Sequence, residues 1–385
     1  MAAPSATPVV PPPLPIVTLF RHDGMVRTDS VTCVDFPIAP VHPFASDNFS
    51  SAHPRYLDAV AKVNDGHAMA YGGDAMTARA NDLFNELCGT DVEVLFTFNG
   101  TGSNVVALAS LLEPAESVVC TNWAHINVDE TGAPERILGV KLQDVERADA
   151  KLSPADIRSL SSALGNVHHV QPGVVSLTQA TELGTLYDAA EIRAICVEAH
   201  SHGMRVHLDG ARIANAVAAL GGDGDTFRSL TFGAGVDAVS FGGTKNGMLG
   251  AEAVLIRRGA GHGRGAFVRK QSTQLPSKQR YIAAQFVEAL SSGLWIETAA
   301  QANAMAQRLF SGLADLPALG LWAPQVNSLY PVLPVPVKKE LQDWSFFWDW
   351  DLSRGQVRWM TSWDTTEEDV DRFVAGVRAA LERAL

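Results

Sequence analysis

The chain has 385 residues, of which 46% are hydrophobic and 19% charged, a composition typical of a soluble globular protein with room for two domains. A formal net charge of −12 disfavours nucleic acid and anionic membranes as partners, because both require clustered Lys and Arg. No apolar run reaches the roughly 18–20 residues that a membrane span requires. Four scattered cysteines (Cys33, Cys88, Cys120 and Cys196) predict reduced thiols in a cytoplasmic protein.

The first part of the chain differs from the rest in composition. The run Pro11-Pro12-Pro13-Leu14-Pro15 supports neither a helix nor a central strand, because proline has no N–H and a fixed φ. We therefore expect residues 1–43 to be a flexible extension. A secretory signal is not predicted, since a charged start followed by an apolar core and a cleavage site is missing. An organelle-targeting segment, or an upstream start codon with Met25 as the true beginning, remains open.

From about residue 55, short apolar runs alternate with segments of helical periodicity. This pattern predicts an α/β fold with a mostly parallel sheet covered on both faces over residues 44–290, and a small C-terminal α+β domain over residues 291–385. Strands are predicted at 92–98, 117–120, 174–178, 205–208, 238–241 and 253–256. Helices are predicted at 54–63, 76–87, 103–112, 189–200, 213–220, 299–316 and 367–384.

Three polar segments follow predicted strands, at the edge where open α/β sheets bind ligands. The first is residues 99–104, which combine glycines, hydroxyls and the start of a helix whose free N–H groups favour a phosphate. Taken alone, this segment fits equally a plain strand-to-helix turn capped by Ser103.

The second segment, residues 207–212, places His207 and Asp209 on one face of a strand end. A buried aspartate needs a partner, and a protonated pyridine nitrogen is a suitable one. An ion pair between Asp209 and Arg212 at a turn is the alternative. A metal site is not predicted, because the histidines near Asp209 lack a metal-ligand spacing.

The third segment is Gly242-Gly243-Thr244-Lys245, after a strand of apolar residues. A lysine in such a turn is a candidate Schiff-base amine, although lysines of this kind are more often solvated loop residues. A nucleotide site is the rival for the anion-binding turn, but no G-x-x-x-x-G-K-[ST] motif occurs. Pyridoxal phosphate (PLP) needs a phosphate cradle, an acid for its ring nitrogen and a lysine for its aldehyde, and the three segments supply them together.

With these segments in place, the sequence resembles the threonine aldolase family of fold-type I PLP enzymes, and most closely the low-specificity L-threonine and phenylserine aldolases. The resemblance covers residues 44–385. It rests on eight ordered segments at 44–48, 70–74, 98–101, 124–125 with 130–133, 178–184, 207–212, 241–248 and 357–364.

The resemblance implies a set of cofactor-binding residues. Lys245 would hold PLP as a Schiff base, and Asp209 would pair with its pyridine nitrogen. The further contacts implied are His125 on the ring face, Arg212 beside the ring oxygen, Gly100, Thr101 and Gly102 at the phosphate, and Lys278 reaching the phosphate from a neighbouring subunit.

The implied reaction is cleavage of a small-molecule β-hydroxy-α-amino acid, such as threonine, allo-threonine or phenylserine, to glycine and an aldehyde. Ser46 and Arg358 would bind the substrate carboxylate, and Tyr71 would line the pocket across a subunit interface of a homo-oligomer, a dimer or a tetramer. Thr181 replaces a histidine found in many relatives, which leaves His125 as the expected base. A β-eliminating lyase, an aminotransferase and a non-catalytic PLP-binding protein are the rivals.

Overall fold

Seven strands form the central sheet of the computed structural model, which describes residues 36–384. The strands are β1 (Val92–Thr97), β2 (Glu116–Thr121), β3 (Lys141–Val145), β4 (Gln171–Thr178), β5 (Arg205–Gly210), β6 (Ala238–Gly242) and β7 (Glu252–Arg257). Their order in the sheet is β1-β7-β6-β5-β4-β2-β3. Within this seven-stranded sheet of the described residues, only β7 runs against its neighbours. The predicted mostly parallel sheet is confirmed.

Twelve helices precede the C-terminal region of the described chain, and most connect strands of the sheet. They are α1 (Pro54–Lys62), α2 (Ala75–Cys88), α3 (Gly100–Leu111), α4 (His125–Val128), α5 (Ala133–Leu138), α6 (Pro154–Ser161), α7 (Ala189–Ser201), α8 (Ile213–Leu220), α9 (Gly224–Leu230), α10 (Gly265–Gln271), α11 (Arg280–Ser292) and α12 (Leu294–Leu313).

Both faces of the sheet are covered by apolar side chains. Alternate residues of one strand belong to two separate hydrophobic clusters: Val119 lies in one cluster and Val118 in the other. The same division holds for Leu255 and Val254. Since successive side chains of a strand point to opposite faces, the clusters lie on the two sides of the sheet, as predicted.

The remaining elements form a small antiparallel sheet with two helices. Its strands lie in the order β8-β10-β9, and α14 packs on both α12 and α13. These elements are β8 (Ser328–Leu329), α13 (Val335–Trp344), β9 (Trp348–Asp351), β10 (Gln356–Met360) and α14 (Glu367–Ala384). Residues from Pro37 onward form one compact unit, and the predicted boundary at residue 290 lies inside α11, so the division into two domains stays a prediction.

Two predicted helices begin elsewhere than expected. Helix α3 starts at Gly100 instead of Ser103, because the Asn99 side chain accepts a hydrogen bond from the Gly102 N–H at 2.8 Å and so caps the helix. Helix α12 starts at Leu294, directly after Gly293, which has a φ of 77°. The local apolar pattern contains neither signal.

Part of the predicted N-terminal extension, residues 1–35, lies outside the described residues. The following segment contacts helix α14: the Val41 and His42 N–H groups both donate to Asp369 Oδ1, at 2.8 and 3.2 Å. His42 Nδ1 also lies 2.7 Å from Asp369 Oδ2. Among the described residues, no helix is long and apolar enough to cross a membrane.

Candidate active site

The polar segments predicted from the sequence meet at one edge of the sheet. Strands β1, β2, β5 and β6 run in the same direction and end there, and the reversed β7 begins there. A cavity of about 230 Å³ opens at this edge. It is lined by residues that include Gly100, Thr101, His125, Ala211, Lys245 and Glu252.

Lys245 lies directly after β6, in a short 3₁₀ turn that ends at Gly247. Its side chain is partly exposed to the cavity. Within residues 36–384 no hydrogen bond or ion pair engages its ammonium group. The amine is therefore available to a ligand, as the sequence predicts for a Schiff-base lysine.

The start of α3 presents unused backbone donors to the same cavity. The N–H groups of Gly100 and Thr101 have no partner within residues 36–384, whereas that of Gly102 is bound by the Asn99 side chain. Ser103 does not act as the cap, because its hydroxyl lies 2.6 Å from that of Thr97. Free N–H groups at the positive end of a buried helix suit an anion such as phosphate.

Asp209, at the end of β5, is buried, with 4% of its surface exposed. One carboxylate oxygen accepts a hydrogen bond from Asn104 Nδ2 at 2.9 Å, and the other accepts one from the Ala211 N–H at 3.0 Å. Each oxygen keeps acceptor capacity, since a carboxylate has about four lone-pair sites. Asp209 can therefore accept a further bond from a protonated nitrogen.

His207, on the same strand, links β5 to its two neighbouring strands by hydrogen bonds. Its ring nitrogens lie 3.0 Å from the Ser176 and Ser240 hydroxyls on the two neighbouring strands. Burial lowers the pKa of His207 to about 4, so its ring is neutral at ordinary pH. No group of three or more potential metal ligands occurs among the described residues.

A hydrogen-bonded chain links Asp209 to His125. Asn104 Nδ2 donates to both Asp209 Oδ2 and Glu130 Oε1, each at 2.9 Å, and Glu130 Oε1 lies 3.0 Å from His125 Nδ1. Because an ionised carboxylate can only accept, His125 Nδ1 carries the hydrogen. In the neutral ring, Nε2 then has a free lone pair and can accept a proton.

The environment of His125 has opposing effects on its pKa. Burial lowers the pKa, but the hydrogen bond that His125 donates to Glu130 and the charges of Glu182 and Asp209 outweigh it, and the net pKa is raised above its usual 6.5. The imidazolium form of His125 is therefore stabilised by its neighbours.

Arg212 pairs with Asp47 and not with Asp209, so the simple turn ion pair does not form. Its Nε donates to Asp47 Oδ2 at 2.7 Å and its Nη2 to Oδ1 at 3.0 Å, and both residues are buried. Burial raises the pKa of Asp47, but Arg212 outweighs that effect and the net pKa is lowered. The pair is a bidentate salt bridge.

The two residues expected at the substrate carboxylate have different surroundings. Ser46 is buried, and its hydroxyl accepts a hydrogen bond from the Asn48 N–H at 3.2 Å. Arg358 is half-buried on β10, with its guanidinium carbon 4.8 Å from the ring centroid of Trp350. Its Nε is buried and has no hydrogen-bond partner. The guanidinium of Arg358 is thus free to bind an anion.

Tyr71 and Lys278 do not line the cavity that contains Lys245. The Tyr71 N–H donates to the Ser277 carbonyl at 2.9 Å, which places the two segments side by side. Lys278 lines a different cavity of about 270 Å³. Tyr71 is 56% exposed, and the Lys270 ammonium lies 5.4 Å from its ring centroid. Within one chain these two residues are apart from the other candidates.

Thr181 is buried, and its hydroxyl is used inside its own loop. It lies 2.7 Å from the Thr185 hydroxyl and accepts from the Leu183 and Thr185 N–H groups at 3.3 and 3.2 Å. These bonds stabilise the turn after β4. Thr181 therefore offers no base at this position.

Sequence reasoning gave no role to four residues of this site: Asp47, Asn104, Glu130 and Glu252. Glu252 is buried, and burial raises its pKa. It accepts a hydrogen bond from the Gly243 N–H at 3.0 Å and so holds the turn that carries Lys245. Asp47 bonds to a residue 165 positions away and Asn104 to one 105 positions away, so the local pattern indicates neither contact.

Comparison with known proteins connects this geometry to a family. The family model described as "Beta-eliminating lyase" matches residues 43–333. The low specificity L-threonine aldolase of a Pseudomonas strain is 41% identical over 342 residues, which cover 88% of this chain and 97% of the relative. That of Pseudomonas aeruginosa is 40% identical with the same coverage.

A solved structure agrees. Threonine aldolase from Leishmania major superposes with a TM-score of 0.80 at 32% identity, covering 87% of this chain and 98% of the other. The family model and the relatives both span the strand ends that carry the candidate residues. The chain belongs to the beta-eliminating lyase family, in its threonine aldolase branch, and has the fold of the fold-type I PLP enzymes.

Proposed function

We propose that this protein is a PLP-dependent aldolase that cleaves L-threonine, L-allo-threonine or related β-hydroxy-α-amino acids, such as phenylserine, to glycine and an aldehyde. The observation that carries the proposal is the free Lys245 amine in a cavity shared with the unused N–H groups of α3 and with His125. The names of the similar Pseudomonas and Leishmania proteins support the same activity.

The chemistry of the donor set fits PLP. Lys245 would hold the aldehyde, the Gly100 and Thr101 N–H groups the phosphate, and Asp209 the ring nitrogen. The Arg212 side chain, fixed by Asp47, would lie beside the ring. When bound, PLP supplies an electron-withdrawing ring that accepts the electrons of the broken Cα–Cβ bond.

The other residues bind the substrate and move a proton. The Arg358 guanidinium, with the Ser46 hydroxyl, would hold the substrate carboxylate through paired hydrogen bonds. The free Nε2 of His125 would accept the proton of the β-hydroxyl, directly or through a water, while Glu130 stabilises the resulting cation.

The separate position of Tyr71 and Lys278 supports a homo-oligomer with shared active sites. Both lie outside the cavity of Lys245 in their own chain, so either would contribute only to the site of another subunit. Phe49, Phe98 and Leu249, near the ends of the segments that form the site, are large apolar side chains with about half their surface exposed, from 45% to 57%. A second copy would cover such surfaces.

The test is Lys245→Ala. The purified wild type should show the visible absorbance of lysine-bound PLP and release an aldehyde from L-threonine. The variant should lose that absorbance, and its turnover should fall by more than about 1000-fold, since a covalent catalytic group is removed. Lys339→Ala is the matched control, because this lysine is exposed on α13 and pairs with Asp343, four residues further along the same helix.

The assays also separate the rival activities. Full activity in Lys245→Ala would refute the assigned lysine. Pyruvate formed from L-serine, without aldehyde from L-threonine or phenylserine, would indicate a β-eliminating lyase. Amino-group transfer to a 2-oxo acid without carbon–carbon cleavage would indicate an aminotransferase.

A further inference from the structure

Within residues 36–384, the Arg358 side chain is supported by an aromatic ring and by no hydrogen bond. Its guanidinium carbon lies 4.8 Å from the ring centroid of Trp350. A cation over an aromatic face is attracted by the quadrupole of the ring, and tryptophan attracts it most strongly. Within the described chain, no carboxylate or carbonyl bonds to the Arg358 side chain.

Support by the Trp350 ring leaves the hydrogen-bond donors of the Arg358 side chain without a partner within residues 36–384. The five N–H bonds of a guanidinium lie in its plane, whereas a stacked ring occupies only its face. Arg212 shows the opposite arrangement, since Asp47 occupies its Nε and Nη2 donors. A carboxylate in the plane of Arg358 could therefore take a bidentate bond without displacing the ring that holds it.

A β-bulge directs Trp350 towards Arg358. Strands β9 and β10 are paired, with Gln356 opposite Asp351 and Val357 opposite Asp349, so the register passes over Trp350. The extra residue of a bulge turns its side chain away from the regular alternation. Trp350 is that residue, and its side chain lies against the neighbouring strand's Arg358.

Other rings hold the indole in place. The Trp123 ring lies nearly parallel to it, at 9° and 6.5 Å between centroids, and the Tyr330 ring lies 5.5 Å away. Trp123 precedes His125 by two residues. The contacts of Trp350 with Arg358 and with Trp123 therefore connect β10 with the loop of the expected base. The Trp350 Nε1 is buried without a partner, a cost that phenylalanine would avoid.

We propose that Trp350 is a positioning residue: its indole face fixes the plane of the Arg358 guanidinium, backed by Trp123, so that the substrate's α-carboxylate meets a preoriented fork. The proposal rests on the proposed function, because it assumes that Arg358 binds this carboxylate. Trp350 itself does not touch the reacting atoms.

The test compares an acid with its amide on the PLP-loaded enzyme. L-Threonine carries the carboxylate that Arg358 would bind, and L-threonine amide does not. In Trp350→Leu the ratio of kcat/KM for the acid over that for the amide should fall roughly 5- to 30-fold, mainly through the KM of the acid. Trp350→Phe should keep part of the ratio, because phenylalanine still offers a face to the cation.

A double variant identifies the route of the effect. On an Arg358→Gln background, Trp350→Leu should change the ratio less than about twofold, because the group that it positions is gone. Equal losses for acid and amide, or an unchanged ratio, in Trp350→Leu would overturn the proposal. If Trp350→Leu does not fold, Trp350→Met, which also removes the aromatic face, is measured in its place, and an unchanged ratio there has the same meaning.

Failure of the proposed function gives a different result. Wild-type enzyme that cleaves neither compound, or that cleaves both equally well, would refute the aldolase assignment or the role of Arg358. If the wild type prefers the acid over the amide and Trp350→Leu keeps that preference, only the role of Trp350 is refuted.

Discussion

Two arginines whose charges both act on Asp47 differ in how their hydrogen-bond donors are used. On the sheet side, Arg212 follows β5 and is bound by both oxygens of Asp47 in a buried salt bridge. On the side of the small sheet, Arg358 lies on an aromatic ring and makes no hydrogen bond within residues 36–384. Arg212 is buried, whereas Arg358 is half-buried.

The difference separates a structural cation from a binding cation. A buried charge needs compensation, and Arg212 receives it from within the chain. The Nε of Arg358 is buried without a partner, which is costly unless a ligand accepts its hydrogen bond. Between these two arginines, the one with free donors is therefore the one available to a ligand.

The largest expected effect follows from breaking the buried salt bridge between Asp47 and Arg212. Asp47→Asn keeps the shape of the side chain but leaves the Arg212 charge buried and uncompensated. The free energy of unfolding should fall by about 3–5 kcal/mol, the cost of removing one partner of a buried ion pair. Chemical denaturation of both proteins measures it.

Asp371→Asn is the matched control for that variant. Asp371 pairs with Arg308 through two bonds of 2.9 Å, but the pair is largely exposed. Its loss should cost about 1 kcal/mol or less. Equal losses in the two variants would show that burial does not distinguish the pairs.

A smaller effect, on activity instead of stability, is expected from replacing Arg358. Arg358→Gln should lower kcat/KM for L-threonine roughly 10- to 150-fold, the loss of hydrogen bonds to a charged group. The free energy of unfolding should change by about 1 kcal/mol or less, because only the stacking contact is lost. Steady-state kinetics and denaturation on the same sample measure both.

Arg354→Gln serves as the control for this experiment, since Arg354 is exposed in the turn that precedes β10. It should keep normal kinetics. If Arg358→Gln is strongly destabilised but keeps unchanged kinetics, Arg358 has a structural role like that of Arg212.

The smallest effect concerns the pH dependence of His125. Neutral His125 is needed to accept a proton, so activity should fall as the pH drops through its raised pKa. Glu130→Gln removes the carboxylate that stabilises the imidazolium, and the acid limb of the pH–rate profile should move to lower pH. The profile of kcat/KM on L-threonine measures this shift.

A second pair of a histidine and a glutamate provides the control. His262 Nδ1 lies 2.8 Å from Glu113 Oε1, away from the cavity, so Glu113→Gln should leave the acid limb unchanged. A limb that stays in place in Glu130→Gln would show that another group accepts the proton.

The sequence predicted the parts of the site that depend on local pattern. Lys245, Asp209 and the start of α3 each follow an apolar strand, and strand ends in a parallel sheet meet at one edge. The Asp47–Arg212 pair was not predictable in this way, because its members are 165 positions apart.

The aromatic support of Arg358 was also beyond local inference. It depends on a bulge that shifts the register at Trp350, and no residue in the strand indicates where pairing fails. The tryptophans of this region predict packing in general, as found for Trp359, which is fully buried. The specific contact arises only from the pairing of β9 with β10.

The reversed direction of β7 has a consequence for turnover. Gly242 and Glu252 are paired across β6 and β7, so the segment that carries Lys245 is anchored to the sheet at both ends. Its backbone is further tied by the Thr244 hydroxyl, which accepts from the Ala251 N–H at 3.2 Å. A short tethered loop has few conformations to lose. An amine displaced by a substrate would remain within reach at high effective concentration, and its recapture of the cofactor would be an intramolecular event.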